Sequence, residues 1–225
     1  NDFLVNPTLE LIDLGPVNAE VRQYFIEPTP GGPNRQGVDS VSPDPIFSHD
    51  SGAYGGNLMV ELATEGEGSV IRYTLDGTIP DASSEVYAGP VAVTAAATLT
   101  ARVWVEGSLP GESVSRSYLM LSDSVQAFTS NLPIVLIDTF GRGIGEGSYT
   151  QVFCQFIDVG EDGRASITGE PDYVGRAGMK VRGSSSTGFP KKQYAFETWD
   201  EANEDLDVSV LGMPSESAVK GAPSR

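Results

Sequence analysis

Arg182, Lys191 and Lys192 flank a loop of small residues within residues 179–197, and this arrangement is suited to binding a phosphate group. The pattern predicts a strand, a loop at 184–188 and a second strand that begins near Pro190, because proline has no N–H for a ladder hydrogen bond. Glycine and serine leave backbone N–H groups that converge on an anion, and lysine supplies a point charge. The predicted phosphate- or nucleotide-binding residues are Arg182, Gly183, Ser184, Ser185, Lys191 and Lys192.

The second strand of this stretch determines where its lysines point. Lys192, Tyr194 and Phe196 share one face, since side chains alternate along a strand. If Tyr194 and Phe196 face a core, Lys192 points inward beneath the loop. The alternative is a surface hairpin whose lysines extend into solvent, and the residues of this chain favour that alternative.

Aromatic residues are the candidates for carbohydrate binding. Trp104 alternates with Val103, in a strand where Leu99, Ala101 and Val103 share one face, so Trp104 lies on the face away from a core. The candidate carbohydrate platform consists of Tyr73, Tyr87 and Trp104.

Other residue types give no catalytic or metal site. The only cysteine, Cys154, lies in an apolar strand pattern that favours a small buried residue over a nucleophile. The single histidine, His49, lies in a loop without a serine or cysteine in a nucleophile context. We therefore predict no catalytic residues, no metal site and no cofactor in this chain.

The charge and the hydropathy limit the classes of partner. A formal net charge of −17 and a pI near 4.2 create a surface that repels phosphate backbones, which argues against nucleic-acid binding. There is no apolar run of membrane-spanning length. We expect a secreted or cell-surface protein whose partners are proteins or polysaccharides, with self-association through open β edges as a further possibility.

Short alternating segments separated by turns predict a mostly β protein that contains an immunoglobulin- or fibronectin type III-like β-sandwich. The apolar run at 132–138 predicts a strand that is buried on both faces. The strands predicted for the sandwich are residues 57–63, 69–75, 90–94, 98–105 and 113–121.

A signature within the sandwich resembles a known family. Residues 73–80 read Tyr-Thr-Leu-Asp-Gly-Thr-Ile-Pro, which is similar to the signature of the chitobiase/β-hexosaminidase C-terminal domain. The resemblance implies a fibronectin type III-like sandwich that acts as an accessory module beside a catalytic or surface domain.

Residues 178–214 resemble the entry to the CotH-like (spore coat protein H) kinase family, through Arg-Gly-x-Ser-Ser, Pro-Lys-Lys and Leu-Gly-Met-Pro. This resemblance implies a kinase-like ancestry and a β-rich partial kinase-like domain. The carboxylates for ATP and Mg²⁺ would lie beyond Arg225, so phosphoryl transfer requires a longer parent chain. Residues 22–34 are similar to the end of a lamin-tail domain.

These observations predict a series of β modules in which binding or extracellular assembly is favoured over catalysis. Phosphoryl transfer from ATP is the alternative, and a carbohydrate-binding accessory module is the second alternative. The predicted order is a lamin-tail-like end at 1–34, a linker at 35–48, the sandwich at 49–121, a connector at 122–131 and the CotH-like part at 132–225.

Overall fold

The computed structural model describes residues 38, 40–183, 188–200 and 202–214. The lamin-tail-like end predicted at 1–34 and the predicted site residues Ser184 and Ser185 lie outside this part of the chain. The strands are β1 Ile46–Phe47, β2 Gly52–Gly55, β3 Leu58–Val60, β4 Leu62–Ala63, β5 Val70–Thr74, β6 Glu85–Val86, β7 Val91–Val93, β8 Ala97–Trp104, β9 Val114–Leu121, β10 Thr129–Ser130, β11 Ile134–Asp138, β12 Thr150–Ile157, β13 Ala165–Ser166, β14 Tyr173–Arg182 and β15 Gln193–Trp199.

The prediction of a mostly β fold is confirmed. The described helix, α1 Asp123–Gln126, has four residues, and no helix of the described chain is long and apolar enough to cross a membrane. A five-stranded sheet has the order β2-β9-β8-β5-β6, and the short ladders β3–β7 and β1–β4 lie beside it. A core forms between these strands from Leu58, Val60, Leu62, Ile71, Val91, Val93, Leu99, Ala101, Val103 and Tyr118.

A second sheet follows, with four antiparallel strands in the order β11-β12-β14-β15. One of its faces carries Val152, Cys154, Phe156, Ala177 and Met179, whose side chains form a second apolar cluster. Ile144, from the loop between β11 and β12, packs against this cluster, as do Val210 and Leu211 from the segment after β15.

The expectation that residues 132–138 form a strand buried on both faces is wrong. β11 lies at the edge of the four-stranded sheet, and Val135 and Ile137 are 45% and 42% exposed. Within the described residues, the other face of β11 is the covered one, where Ile134 is buried and packs with Ile157 and Ala165. The apolar run is therefore an edge strand. The central position that its apolar composition predicted is occupied by β12.

The two sheets contact each other through β9, which meets both β12 and β14. The face of the five-stranded sheet that points away from the sandwich core carries Thr98, Thr100, Ser115 and Ser117, and all four are buried. Phe153, Gln155 and Arg176 are also buried, on the face of the second sheet that points away from its apolar cluster. The second sheet therefore covers this polar face of the sandwich, although the polarity of the face alone would predict that it is exposed to solvent.

Candidate functional site

The predicted phosphate site lies at the end of the hairpin between β14 and β15. Arg182 is the last residue of β14 and pairs with Gln193, while Lys191 and Lys192 immediately precede Gln193. Gly183 has a φ of 107°, which turns the chain out of the strand. The structure thus brings Arg182, Gly183 and Lys192 to one end of a hairpin, and phosphate binding there stays a prediction.

The inward orientation of Lys192 is not found. Phe196 packs against the second apolar cluster, whereas Tyr194 is largely exposed and Lys192 is exposed. β15 begins at Gln193, so Lys192 precedes the ladder and its alternation. The structure agrees with the alternative interpretation, a surface hairpin.

The three aromatic residues of the predicted carbohydrate platform do not share one surface. Tyr73 pairs with Ala101 on the core side of the sheet, and Tyr87 also packs against the core. Burial and the neighbouring Glu85 raise the pKa of Tyr73 to about 12. Trp104 lies on the opposite side of β8, with its ring centroid 5.7 Å from the Arg102 guanidinium. Because the three residues do not share a surface, the structure adds no support for carbohydrate binding by them together, and that binding stays a prediction.

The turn at Asp76 and Gly77, within the sandwich signature, forms a contact between the two sheets. Asp76 Oδ1 accepts hydrogen bonds from the Thr78 hydroxyl at 2.6 Å and the Thr78 N–H at 3.0 Å, and these bonds hold the pKa of Asp76 below its usual value. Gly77 has a φ of 81° and donates its N–H to Thr98 O. The Gly77 carbonyl accepts a 2.6 Å hydrogen bond from Arg176 Nη2 of β14.

Gly77 also makes a close approach that a larger residue would prevent. A Cβ at this position would lie 2.9 Å from Arg176 Nη2 and 2.9 Å from Gln151 Nε2. Two features therefore favour glycine at position 77: the positive φ of the turn and the close contact with the second sheet.

Arg176 is the central residue of this contact, and the sequence reasoning missed it. Its side chain is 5% exposed, and its Nη1 donates to Asn203 Oδ1 at 3.2 Å. The signal was present, since an arginine between Gly175 and Ala177 in the middle of a long strand is an unusual position for a charge. A buried guanidinium requires acceptors, and here the sandwich supplies one of them.

A cleft of about 460 Å³ opens between β9 and the strands β14 and β15. Its volume lies in the range of small-molecule sites. The residues that line it are Asp50, Ser51, Ser115, Arg116, Ser117, Tyr173, Val174, Gly175, Arg176, Trp199, Asp200 and Leu206.

Trp199 and Tyr173 are the aromatic residues among the described lining. Tyr173 packs against the second apolar cluster, which leaves Trp199 as the aromatic wall of the cleft. Its indole lies over Gly178, where a Cβ would come within 2.2 Å of the ring, and its Nε1 donates to Glu197 Oε1 at 3.2 Å. Tyr149 packs edge-on against it, with ring centroids 6.1 Å apart. Because glycine has no Cβ, the indole of Trp199 can lie directly against the backbone at Gly178.

The cleft contains charges of both signs. Arg116 Nε lies 3.5 Å from Asp50 Oδ1, and Arg116 Nη1 donates to Ser115 O. Asp200 Oδ1 accepts the backbone N–H groups of Ala202 and Glu204. The arrangement offers hydrogen-bond donors and acceptors beside an aromatic ring, which is a geometry for binding. In the described part of the chain, no three or more His, Cys, Asp or Glu residues are grouped so as to hold a metal ion.

Comparison with known proteins identifies one segment. No curated protein matches the chain. A family model described as the chitobiase/β-hexosaminidase C-terminal domain matches residues 49–115, which contain β2 to β8 and the Asp76–Gly77 turn. The resemblance drawn from residues 73–80 is confirmed, while the CotH-like and lamin-tail-like resemblances stay predictions. Residues 49–115 are thus similar to the chitobiase/β-hexosaminidase C-terminal domain.

Proposed function

We propose that this chain is a binding module of a secreted or cell-surface protein, and that it binds polysaccharide. The observation that carries the proposal is the match of residues 49–115 to a domain whose family description names chitobiase and β-hexosaminidase. A domain found at the C-terminal end of such enzymes is suited to holding a protein near a polysaccharide.

Two properties of the chain support this proposal. The cleft between the sheets combines an indole with paired charged groups, which is the composition that small-ligand sites use to fix orientation. The net charge of −17 disfavours nucleic acids and other polyanions as partners, whereas it does not oppose the binding of a neutral polymer.

Retention on insoluble polysaccharides tests the proposal. The purified chain is mixed with chitin and with cellulose, and the bound fraction is compared with that of an unrelated acidic protein. We expect saturable retention on at least one of the two polymers, reversed by soluble oligosaccharides of that polymer. If the chain stays in the supernatant with both polymers at every concentration, polysaccharide binding is not its function.

Phosphate binding at the β14–β15 hairpin is the second candidate. The observation in its favour is that Arg182, Lys191 and Lys192 are all exposed at one hairpin end of a strongly acidic chain. We expect these residues to attract an anion without transferring phosphate, because phosphoryl transfer uses carboxylates that hold Mg²⁺, and the described residues contain no group of three or more His, Cys, Asp or Glu that could hold a metal ion. Transfer of labelled phosphate from ATP that is lost in Lys192→Ala would make phosphoryl transfer the function instead.

A further inference from the structure

We propose that the cleft between the two sheets is a saccharide-binding subsite that takes one neutral sugar ring, with Trp199 as its aromatic wall. This inference rests on the proposed polysaccharide binding and adds the place and the chemical class of the contact. It also moves the site from the predicted platform of Tyr73, Tyr87 and Trp104 to a surface that forms where the two sheets meet.

The aromatic part of the argument concerns the wall of the cleft. A pyranose ring has an apolar face of C–H groups that packs against an indole, while its hydroxyls require polar partners. Trp199 lines the cleft and is held in place by Gly178 below it and by its hydrogen bond to Glu197. Tyr149, which packs against Trp199, is not among the residues that line the cleft, and the Lys180 ammonium lies 4.0 Å from the centroid of its ring.

The polar part of the argument concerns the charged groups around the same space. Asp50 and Asp200 supply carboxylate acceptors, and Ser51, Ser115 and Ser117 add hydroxyl side chains to the lining. Arg116 also lines the cleft, but alternation along β9 turns its side chain to the core side of the sandwich, where its guanidinium lies 5.4 Å from the centroid of the Phe47 ring. Arg176 is already engaged with Gly77 and Asn203 and acts as a positioning residue that fixes the second sheet on the sandwich.

The balance of charge selects a neutral ligand. Among the described residues that line the cleft, the carboxylates of Asp50 and Asp200 balance the arginines, so this lining has no excess of positive charge to attract a uronate or a phosphate. The rest of the chain is strongly acidic and repels such groups. A volume of about 460 Å³ is suited to a single ring with its neighbours extending into solvent.

Calorimetric titration of the whole chain tests the subsite. The probes are trimers of N-acetylglucosamine, of glucose and of galacturonic acid. We expect one of the neutral trimers to bind and the acidic trimer to bind at least about tenfold more weakly, which corresponds to about 1.4 kcal/mol. Trp199→Ala should weaken neutral binding by about tenfold or more, as expected for a central aromatic contact.

Three further variants make the result decisive. Asp50→Asn should weaken binding about threefold or more through loss of a charge-assisted acceptor, and because Asp50 is exposed this variant tests the cleft even if Trp199→Ala fails to fold. Phe189→Ala removes an exposed aromatic outside the cleft and should bind as the native chain does. Trp104→Ala tests the competing platform on the sandwich.

The outcomes separate the two proposals. If the chain is retained on a polysaccharide but Trp199→Ala and Asp50→Asn bind as tightly as the native chain, the subsite is wrong and the proposed function stands. Loss of binding in Trp104→Ala alone, or preference for the acidic trimer, also overturns the subsite. If the chain binds members of a peptide library but none of the sugars, both the proposed function and the subsite are overturned. The same holds if the chain is not retained on any polysaccharide.

Discussion

The two sheets of this protein present opposite relations between polarity and burial. On the five-stranded sheet, the face that carries threonine and serine is buried, because the second sheet covers it. On the four-stranded sheet, the edge strand β11 exposes Val135 and Ile137 to solvent. The polarity of a face therefore does not decide whether it is covered, and the neighbouring element does.

The difference also explains how the sheets are joined. The interface between the sheets has small hydroxyl side chains on the sandwich side and a buried arginine on the other, so hydrogen bonds such as that between Arg176 and the Gly77 carbonyl contribute to it. Phe153 is fully buried on the same face as Arg176, so the interface combines apolar packing with these hydrogen bonds. The cleft lies in the same region, bounded by β9, β14 and β15.

The largest expected effect tests the contrast between core and edge. Leu99 is fully buried in the sandwich core, so Leu99→Ala should lower the free energy of unfolding by about 2–5 kcal/mol. Val135→Ala at the exposed edge should change it by no more than about 0.5 kcal/mol. Urea unfolding of both variants measures the difference, and equal losses would contradict the assignment of the two faces.

The next effect concerns the arginine between the sheets. Arg176→Met removes the hydrogen bonds to Gly77 and Asn203 and leaves the Gly77 carbonyl without this donor, at a cost of about 1.5–3 kcal/mol. Arg182→Met, at the exposed end of the same strand, is the matched control and should be nearly neutral. Comparable stabilities of the two variants in urea would show that Arg176 does not hold the sheets together.

A pair of glycines isolates the close approach at the turn. Gly77 and Gly68 both have positive φ, so alanine at either position costs about 1–2 kcal/mol in backbone strain. At Gly77 the new Cβ would meet Arg176 and Gln151, whereas no atom of the described residues lies within 4 Å of one at Gly68. We expect Gly77→Ala to lower the melting temperature more than Gly68→Ala does, and the reverse order would argue against the docked turn.

The smallest effect is a dependence on pH at the same turn. The pKa of Asp76 is lowered in the folded protein by its hydrogen bonds to Thr78, so its contribution to stability is present above the ordinary value of 3.8 and is lost as the pH falls through the lower folded value. The stability difference between the native chain and Asp76→Asn should therefore be constant near neutral pH and shrink below pH 3.8. Thermal unfolding of both chains across this range measures it, and a difference that grows in acid would contradict the assignment.

Local patterns in the sequence predicted the sandwich well. The alternation of Leu99, Ala101 and Val103 placed these residues in one core, and the predicted strand at 98–105 is β8, Ala97–Trp104. The Asp76–Gly77 dipeptide inside the recognised signature at residues 73–80 is of a type that favours tight turns. These features depend on residues close together in the chain, where side-chain period and turn chemistry apply.

Contacts between distant residues were beyond those patterns. Gly77 and Arg176 are separated by 99 positions, and nothing local shows that one meets the other. The burial of Thr100 and the exposure of Val135 depend on which face of each sheet is covered by a neighbouring element. The periodicity of a strand does not contain that information. The cleft consists of residues from both sheets, so the sequence could name Trp199 or Asp50 only as isolated side chains.

Thiol labelling at Thr100 tests the central claim most directly, namely that the second sheet covers the polar face of the sandwich. Thr100 is 3% exposed, and its hydroxyl has no hydrogen-bond partner in the described chain, so Thr100→Cys should fold normally. The native Cys154 is buried and its pKa is raised to about 12, so it should stay unreactive. Met59→Cys, at a position that is 52% exposed, gives the rate for an open site. We predict that the thiol introduced by Thr100→Cys is labelled far more slowly under native conditions than the thiol introduced by Met59→Cys, and equal rates would show that the sheets do not cover each other.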